Sequence, residues 1–311
     1  MLKKSSLVVA LLAAGSLALT GCASGGGAAA GSQGTELEGL TGAIGAKDFS
    51  EQRILAHITS QLMNAHGAET EANTKLVGSQ NVRQALESGE FLGYWEYTGT
   101  AWITYNGNTE PVQGVEAQFA ATQEADAANG IAWLDPAPLN NTYSFAIRAD
   151  KAKELGVATL SDVAKLPASE QTFCIESEFS TRDDGWPGLK AAYGIDVPDS
   201  NVALLDTGVI YTATQKGEDC NFGEVFQTDG RIPALDLVVM EDDLEFFPVY
   251  QGALTLQQET LDEYPAIADI FAEVSPLLTT DQMQELNALV DVDGEEPEDV
   301  ATDWLTEQGL I

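Results

Sequence analysis

The chain has 311 residues, with 49 acidic against 14 basic side chains and a formal net charge of −35. So acidic a surface repels phosphate, which excludes nucleic acid as a partner, and it disfavours close docking on anionic lipid. The length exceeds what a single hydrophobic core ordinarily serves, so two lobes are expected.

At the start, Lys3 and Lys4 precede an apolar run, Leu7 to Ala14, that is too short to span a bilayer. Leu19-Thr20-Gly21-Cys22 follows and resembles a bacterial lipobox, so residues 1–21 are expected to be a lipoprotein signal peptide and Cys22 the lipidated residue. Residues 22–34 are nearly all Gly, Ala and Ser and read as a flexible tether, because such a stretch buries too little apolar surface to order itself. No later run is long and apolar enough to cross a membrane, so the protein is expected to be exported and anchored to the outer face of the bacterial cell membrane, not to span it. The other two cysteines, Cys174 and Cys220, form an even pair in an oxidising compartment and are expected to be disulfide-bonded. Two cysteines without clustered histidine do not make a zinc site. His57, within a helical pattern, and His66, at its end, read as structural.

Leu40 to Ala46 reads as the first strand. Ser50 then reads as an N-cap for a helix carrying Ile54, Leu55, Ile58 and Leu62 at helical spacing, ended by Gly67. A strand near 74–78, a helix near 82–88 and a strand near 91–95 follow. Alternation resumes with strands at 171–175 and 203–205 and helices at 186–193 and 209–215, which argues for α/β lobes with largely parallel sheets. From Leu256 to Gly309 the pattern turns helical, with Thr280 as an N-cap and Asp281 and Glu298 as acidic first-turn residues suited to the helix dipole. This last segment shows no sheet of its own and is expected to pack on the first lobe.

Catalytic signatures fail one by one. No Gly-x-Ser-x-Gly elbow occurs. Gly42-Ala43-Ile44-Gly45-Ala46-Lys47 has its glycines too close for a phosphate loop and no Ser or Thr after the lysine. No dinucleotide fingerprint opens the first helix, and Asp291-Val292-Asp293-Gly294 has its glycine too early for a calcium loop. Acidic pairs such as Asp183-Asp184 and Asp242-Asp243 read as turns and caps, because 49 acids make pairs by chance. No enzyme, metal or cofactor is expected.

Tyr94-Trp95-Glu96-Tyr97-Thr98-Gly99-Thr100 is the most specific segment. It resembles the Tyr-Pro-Glu-Tyr-Thr-Gly-Thr signature of the binding proteins of glycine betaine, choline and carnitine importers, the ProX and OpuBC/OpuCC type. The likeness continues in order along the chain, through Gly45 to Gln52, Asn141-Thr142-Tyr143, Phe179 to Gly185, Thr228 to Ile232, Phe247 to Gln251 and Glu298 to Ala301. The resemblance implies a two-lobed periplasmic-binding-protein fold of type II with a ligand cleft between the lobes, closing like a hinged clamp. Crossings near Asn140 and Tyr250 would make residues 35–140 plus 251–311 one lobe and 141–250 the other.

The same resemblance implies an aromatic cage of Tyr97, Tyr143, Phe226 and Tyr250 for a quaternary ammonium, whose charge and methyl groups suit ring faces. Phe226 departs from the family's usual tyrosine. Arg182, Lys47 and Thr100 are implied as partners of a ligand carboxylate, and Gln80 as a neighbour of its polar tail. Trp95 reads as packing and Tyr211 as core, and Glu96 has no assigned role. The implied function is capture of glycine betaine, choline or carnitine for an ABC permease with its ATPase. The alternative is a sensory or scavenging binding protein with the same cage and no permease.

Overall fold

The structure is a computed structural model describing residues 34–311. The expected signal peptide, Cys22 and all of the expected tether except Gly34 lie outside the described residues. Among the described residues no helix is long and apolar enough to cross a membrane.

Among the described residues ten strands form two sheets: β1 (Thr41–Gly45), β2 (Glu69–Asn73), β3 (Phe91–Tyr97), β4 (Ile131–Trp133), β5 (Tyr143–Arg148), β6 (Phe173–Ile175), β7 (Val202–Leu204), β8 (Phe222–Phe226), β9 (Leu237–Val239) and β10 (Gly252–Gln257). One sheet runs β2-β1-β3-β10-β4 and the other β7-β6-β8-β5-β9.

Both sheets are mixed, and the expectation of largely parallel sheets is corrected here. β1 is parallel to β2 and β3, and β6 to β7 and β8. β10 runs antiparallel between β3 and β4, and β5 antiparallel between β8 and β9. The reason lies in the route of the chain. β5 and β10 are each entered directly after the chain passes from one sheet to the other, so they start at the edge where β3 and β8 end. Tyr143 at the start of β5 is therefore opposite Phe226 at the end of β8, and Gly252 opposite Tyr97. Period-2 alternation does not report strand direction.

The passing segments lie side by side. Asn140 bridges to Gln251, the Tyr250 N–H donates to Asn140 Oδ1 at 2.8 Å, and the Asn141 N–H donates to the Tyr250 carbonyl at 3.1 Å.

The helix Ser50–Ala65 buries Ile54, Leu55, Ile58 and Leu62, each at most 1% exposed, on the face their spacing defines. Each such side chain contributes about 1.5–3 kcal/mol relative to exposure. Helices Thr280–Asp291 and Pro297–Gln308 lie against it, with Val300, Trp304 and Leu305 buried in the same core as Trp95. β10 belongs to the first sheet, so the last stretch of chain also supplies a strand.

Three local readings are corrected. The residue before the first helix is Phe49, and no side chain caps that end; Ser50 Oγ donates instead to Asp291 Oδ1 at 2.7 Å. Thr279, not Thr280, caps the helix Thr280–Asp291, accepting from the Gln282 N–H, while Thr280 Oγ1 accepts from the Asn140 N–H at 3.1 Å. The second strand is Glu69–Asn73, and residues 74–78 are irregular, because β1 pairs in register with Glu69 to Asn73 directly after the turn at Gly67 (φ +95°). Cys174 of β6 and Cys220, just before β8, are buried and joined by a disulfide with Cα atoms 5.7 Å apart.

Candidate functional site

A cavity sits where β1, β3, β5 and β8 present their facing ends. It spans about 290 Å³ of atom-free space, part of it open to solvent. That is room for a small molecule in close contact with its walls, not for a peptide.

Five of the ten residues that line it are aromatic. Tyr97 ends β3, Phe226 ends β8, Tyr143 begins β5, and Tyr250 lies just before β10. The Tyr143 ring stands 5.1 Å from that of Phe226 and 5.2 Å from that of Tyr250, the latter at right angles. Phe49 completes the ring set, 5.2 Å from Phe226 and 6.3 Å from Tyr97. The structure therefore brings together all four aromatic residues expected from sequence and adds a fifth. Ring faces carry negative quadrupole potential, a chemistry that suits a methylated cation.

Two cage phenols are fixed by carboxyls behind them. Tyr250 Oη donates to Asp184 Oδ2 at 2.6 Å, and Tyr97 Oη to Glu51 Oε1 at 2.6 Å. Burial pushes the Tyr97, Tyr143 and Tyr250 hydroxyls well above the ordinary phenol range, so all three remain neutral. Gly99 gives Tyr250 its place: a Cβ there would lie 2.9 Å from the Tyr250 ring and 3.0 Å from Pro248. A single π-helical turn, Ala101–Tyr105, follows directly on Thr100, which lines the cavity; such turns recur at functional sites.

The basic residues expected at the site line it, but both are already paired. Lys47, just after β1, donates from Nζ to Glu96 Oε1 at 2.5 Å and stands 5.0 Å from the Tyr97 ring centroid. Glu96, fully buried, also accepts from Tyr94 Oη and from the Tyr97 N–H, which gives it the role the sequence left open. Arg182 donates through Nε and Nη2 to Asp184 at 2.8 and 2.5 Å, and through Nη1 to Glu178 at 2.9 Å. Burial would raise the Glu178 carboxyl, but Arg182, the hydrogen bonds from Ser79 and the charge of Lys47 together outweigh it and hold the group below its usual range. Glu178 also accepts from the Ser79 N–H at 3.0 Å, tying the second sheet's side of the cavity to the first.

Gln80 does not line the cage. It faces an adjoining cavity shared with Ser79, Thr104, Glu178 and Arg182. Phe49, Glu51, Ser79, Asn141 and Glu178 carry no site role in the sequence reading, and Asp184, read there as part of a turn, is instead the buried acceptor for Arg182 and Tyr250. Phe49 and Glu51 lie inside the quoted run Gly45 to Gln52, and Asn141 directly precedes Thr142-Tyr143, so the signal was present without a role attached.

Two sheets joined by adjacent crossing segments, with a small aromatic cavity between them, define a two-lobed ligand-binding protein of the periplasmic type. Residues 43–307 match the family model described as the substrate binding domain of the ABC-type glycine betaine transport system, and the chain belongs to that family. It is 35% identical over 276 residues to a glycine-betaine-binding protein of Pseudomonas aeruginosa, covering 86% of this chain and 88% of that one. It is 31% identical over 274 residues to the glycine betaine-binding protein YehZ of Escherichia coli, covering 86% and 90%. The crystal structure of a glycine betaine/carnitine/choline ABC transporter component superposes with a TM-score of 0.71 at 28% identity, covering 86% of this chain and 99% of that one. The protein is an extracytoplasmic substrate-binding protein of an ABC importer family.

Proposed function

We propose that the chain captures a quaternary amine (glycine betaine, choline or carnitine) between Phe49, Tyr97, Tyr143, Phe226 and Tyr250 and delivers it to an ABC permease with its ATPase. The observation that carries this reading is the set of five aromatic rings that line one small cavity. Each cation–π contact contributes about 0.5–2 kcal/mol. Several together support micromolar binding, about −8 kcal/mol, if methyl burial offsets the costs of association and closure.

Residues 35–140 plus 251–311 form one lobe and 141–250 the other, hinged at the paired segments around Asn140 and Tyr250. Lys47, Thr100 and Arg182 meet the ligand's polar end, with Gln80 farther out in the adjoining cavity. Because Lys47 and Arg182 are engaged by Glu96, Asp184 and Glu178, a ligand carboxylate shares these bases rather than claiming free ones. The ammonium end therefore supplies most of the recognition. A lipid on Cys22 holds the protein at the membrane surface, and no chemistry is performed on the ligand.

Calorimetric titration of the soluble fragment from Thr35 onward with glycine betaine, choline, carnitine and proline tests this. Saturable binding of a quaternary amine that is lost in Tyr143→Ala is the expected result. Absence of binding to all the quaternary amines overturns the reading.

A further inference from the structure

Behind the cage lies a buried carboxyl with no basic partner. Glu51, in the first turn of the helix Ser50–Ala65, is 2% exposed. Its Oε1 accepts from Tyr97 Oη at 2.6 Å and from Asn141 Nδ2 at 3.0 Å, and its Oε2 from Asn287 Nδ2 at 3.3 Å. These donors are neutral, as is the Thr228 hydroxyl, which also favours the carboxylate. Three other carboxylates at the site face a base, Glu96 facing Lys47 and Asp184 and Glu178 facing Arg182, while Glu224, buried on β8, faces none and accepts from the Glu176 N–H at 2.7 Å. The charged groups packed about Glu51 are otherwise committed as well. Arg231, on the segment after β8, pairs with Asp229 and with Asp291 of the helix Thr280–Asp291, and Lys47 lies over the Tyr97 ring. Among the described residues no ion pair reaches Glu51.

A buried carboxylate without a counter-charge is costly, and proteins seldom keep one without a reason. Two of its donors, Tyr97 and Asn141, are themselves walls of the cage. The Asn141 amide is turned so that Nδ2 faces Glu51, which leaves Oδ1 buried and without a hydrogen-bond partner. A phenol that donates to a carboxylate gains electron density, and its ring face becomes a better cation receptor.

We propose that Glu51 is a positioning residue for ligand charge: held behind Tyr97 and Asn141, it is the counter-charge that a cation in the cage completes, acting through the Tyr97 ring without touching the ligand. This rests on the amine-capture reading and adds to it the residue that distinguishes a charged ligand from a neutral one of the same shape. Consistent with that position, burial raises the Glu51 carboxyl above its ordinary range in the empty site, and no base offsets the shift.

The test compares choline with its uncharged carbon isostere 3,3-dimethylbutan-1-ol, or glycine betaine with 3,3-dimethylbutanoate if betaine alone binds. Each is titrated calorimetrically into wild type and Glu51→Gln. The expected result is about a tenfold loss of affinity for the ammonium ligand in the variant, with the isostere unchanged. Equal losses for both ligands, or no loss for either, overturn the inference and leave amine capture standing. Failure of wild type to bind any quaternary amine overturns amine capture itself. Should the variant not fold, wild type decides alone: ammonium affinity must fall on acidification as Glu51 protonates while the isostere's holds, and parallel changes overturn the proposal.

Discussion

Tyr143 and Phe226 are cross-strand partners, facing each other from β5 and β8 with ring centroids 5.1 Å apart. The register of one antiparallel pair thus sets two walls of the cage at once. Phe226 is further fixed by its backbone, whose N–H donates to the hydroxyl of the buried core residue Tyr211 at 3.0 Å. What the position requires is a ring held at that register, so Phe226→Ala is expected to weaken quaternary amine binding by about 1–2 kcal/mol, roughly five- to thirtyfold. Phe226→Tyr is expected to stay within about threefold of wild type. Calorimetric titration checks both, and a larger change for tyrosine than for alanine contradicts the account.

The Arg182–Asp184 pair makes a second prediction. Both side chains are nearly fully buried, and Tyr250 donates to the same carboxylate. Removing one partner of such a pair leaves the other uncompensated, so Asp184→Asn is expected to lower unfolding free energy by about 3 kcal/mol, read by chemical denaturation. It also frees the Nε–Nη2 fork of Arg182 to face the cavity. The ratio of betaine to choline affinity is therefore expected to rise in this variant, and an unchanged ratio would show that the fork does not face the ligand.

Glu51 gives a stability profile with a definite sign. Burial raises its carboxyl above the ordinary value of 4.5, so the folded state holds that proton more tightly than the unfolded chain. Stability is then undiminished below the ordinary value, begins to decline as pH rises through it, and has lost the full contribution above the folded value. Glu224, also raised by burial, acts in the same direction. Glu51→Gln removes one such group, so the stability of ligand-free variant relative to wild type is expected to grow as pH rises from the acid side towards neutrality. Denaturation at several pH values checks this; a gap independent of pH contradicts the assignment.

The Cys174–Cys220 disulfide ties β6 to the entry of β8 across a sequence separation of 46 residues. Loop-closure entropy for that separation gives about 4 kcal/mol, and measured values for such bonds typically fall near 2–4 kcal/mol. Replacing both cysteines by serine is expected to lower unfolding free energy by that amount while leaving ligand affinity within about twofold, because neither residue lines the cage. Mass analysis of the exported protein before and after reduction establishes the bond directly, and two free thiols contradict it.

Much of this protein is legible from sequence, and the part that is not has a common cause. Local patterns carry local consequences: the spacing of Ile54, Ile58 and Leu62 specifies a helix and its buried face, and residues 186–193 form their helix as the pattern predicts. Motif order places Tyr97, Tyr143, Phe226 and Tyr250 on one list, and the structure places them in one cavity. The misreadings are relational. Ser50 and Thr280 have capping chemistry, but their hydroxyls serve Asp291 and Asn140 instead, residues 241 and 140 positions away. Strand direction depends on where the chain re-enters each sheet, which no window of residues contains.

The sequence by itself determined the residue types of the site, the family to which the chain belongs and the helical faces that bury the core, because these depend on side chains at fixed short spacings. Only the tertiary structure decided which charges are spoken for. It pairs Lys47 with Glu96 and Arg182 with Asp184 and Glu178, and it leaves Glu51 among neutral donors. Electrostatic partnership is a property of distance in space and of burial, and residues such as Glu51 and Asn141, 90 positions apart along the chain, acquire both only when the two sheets come together.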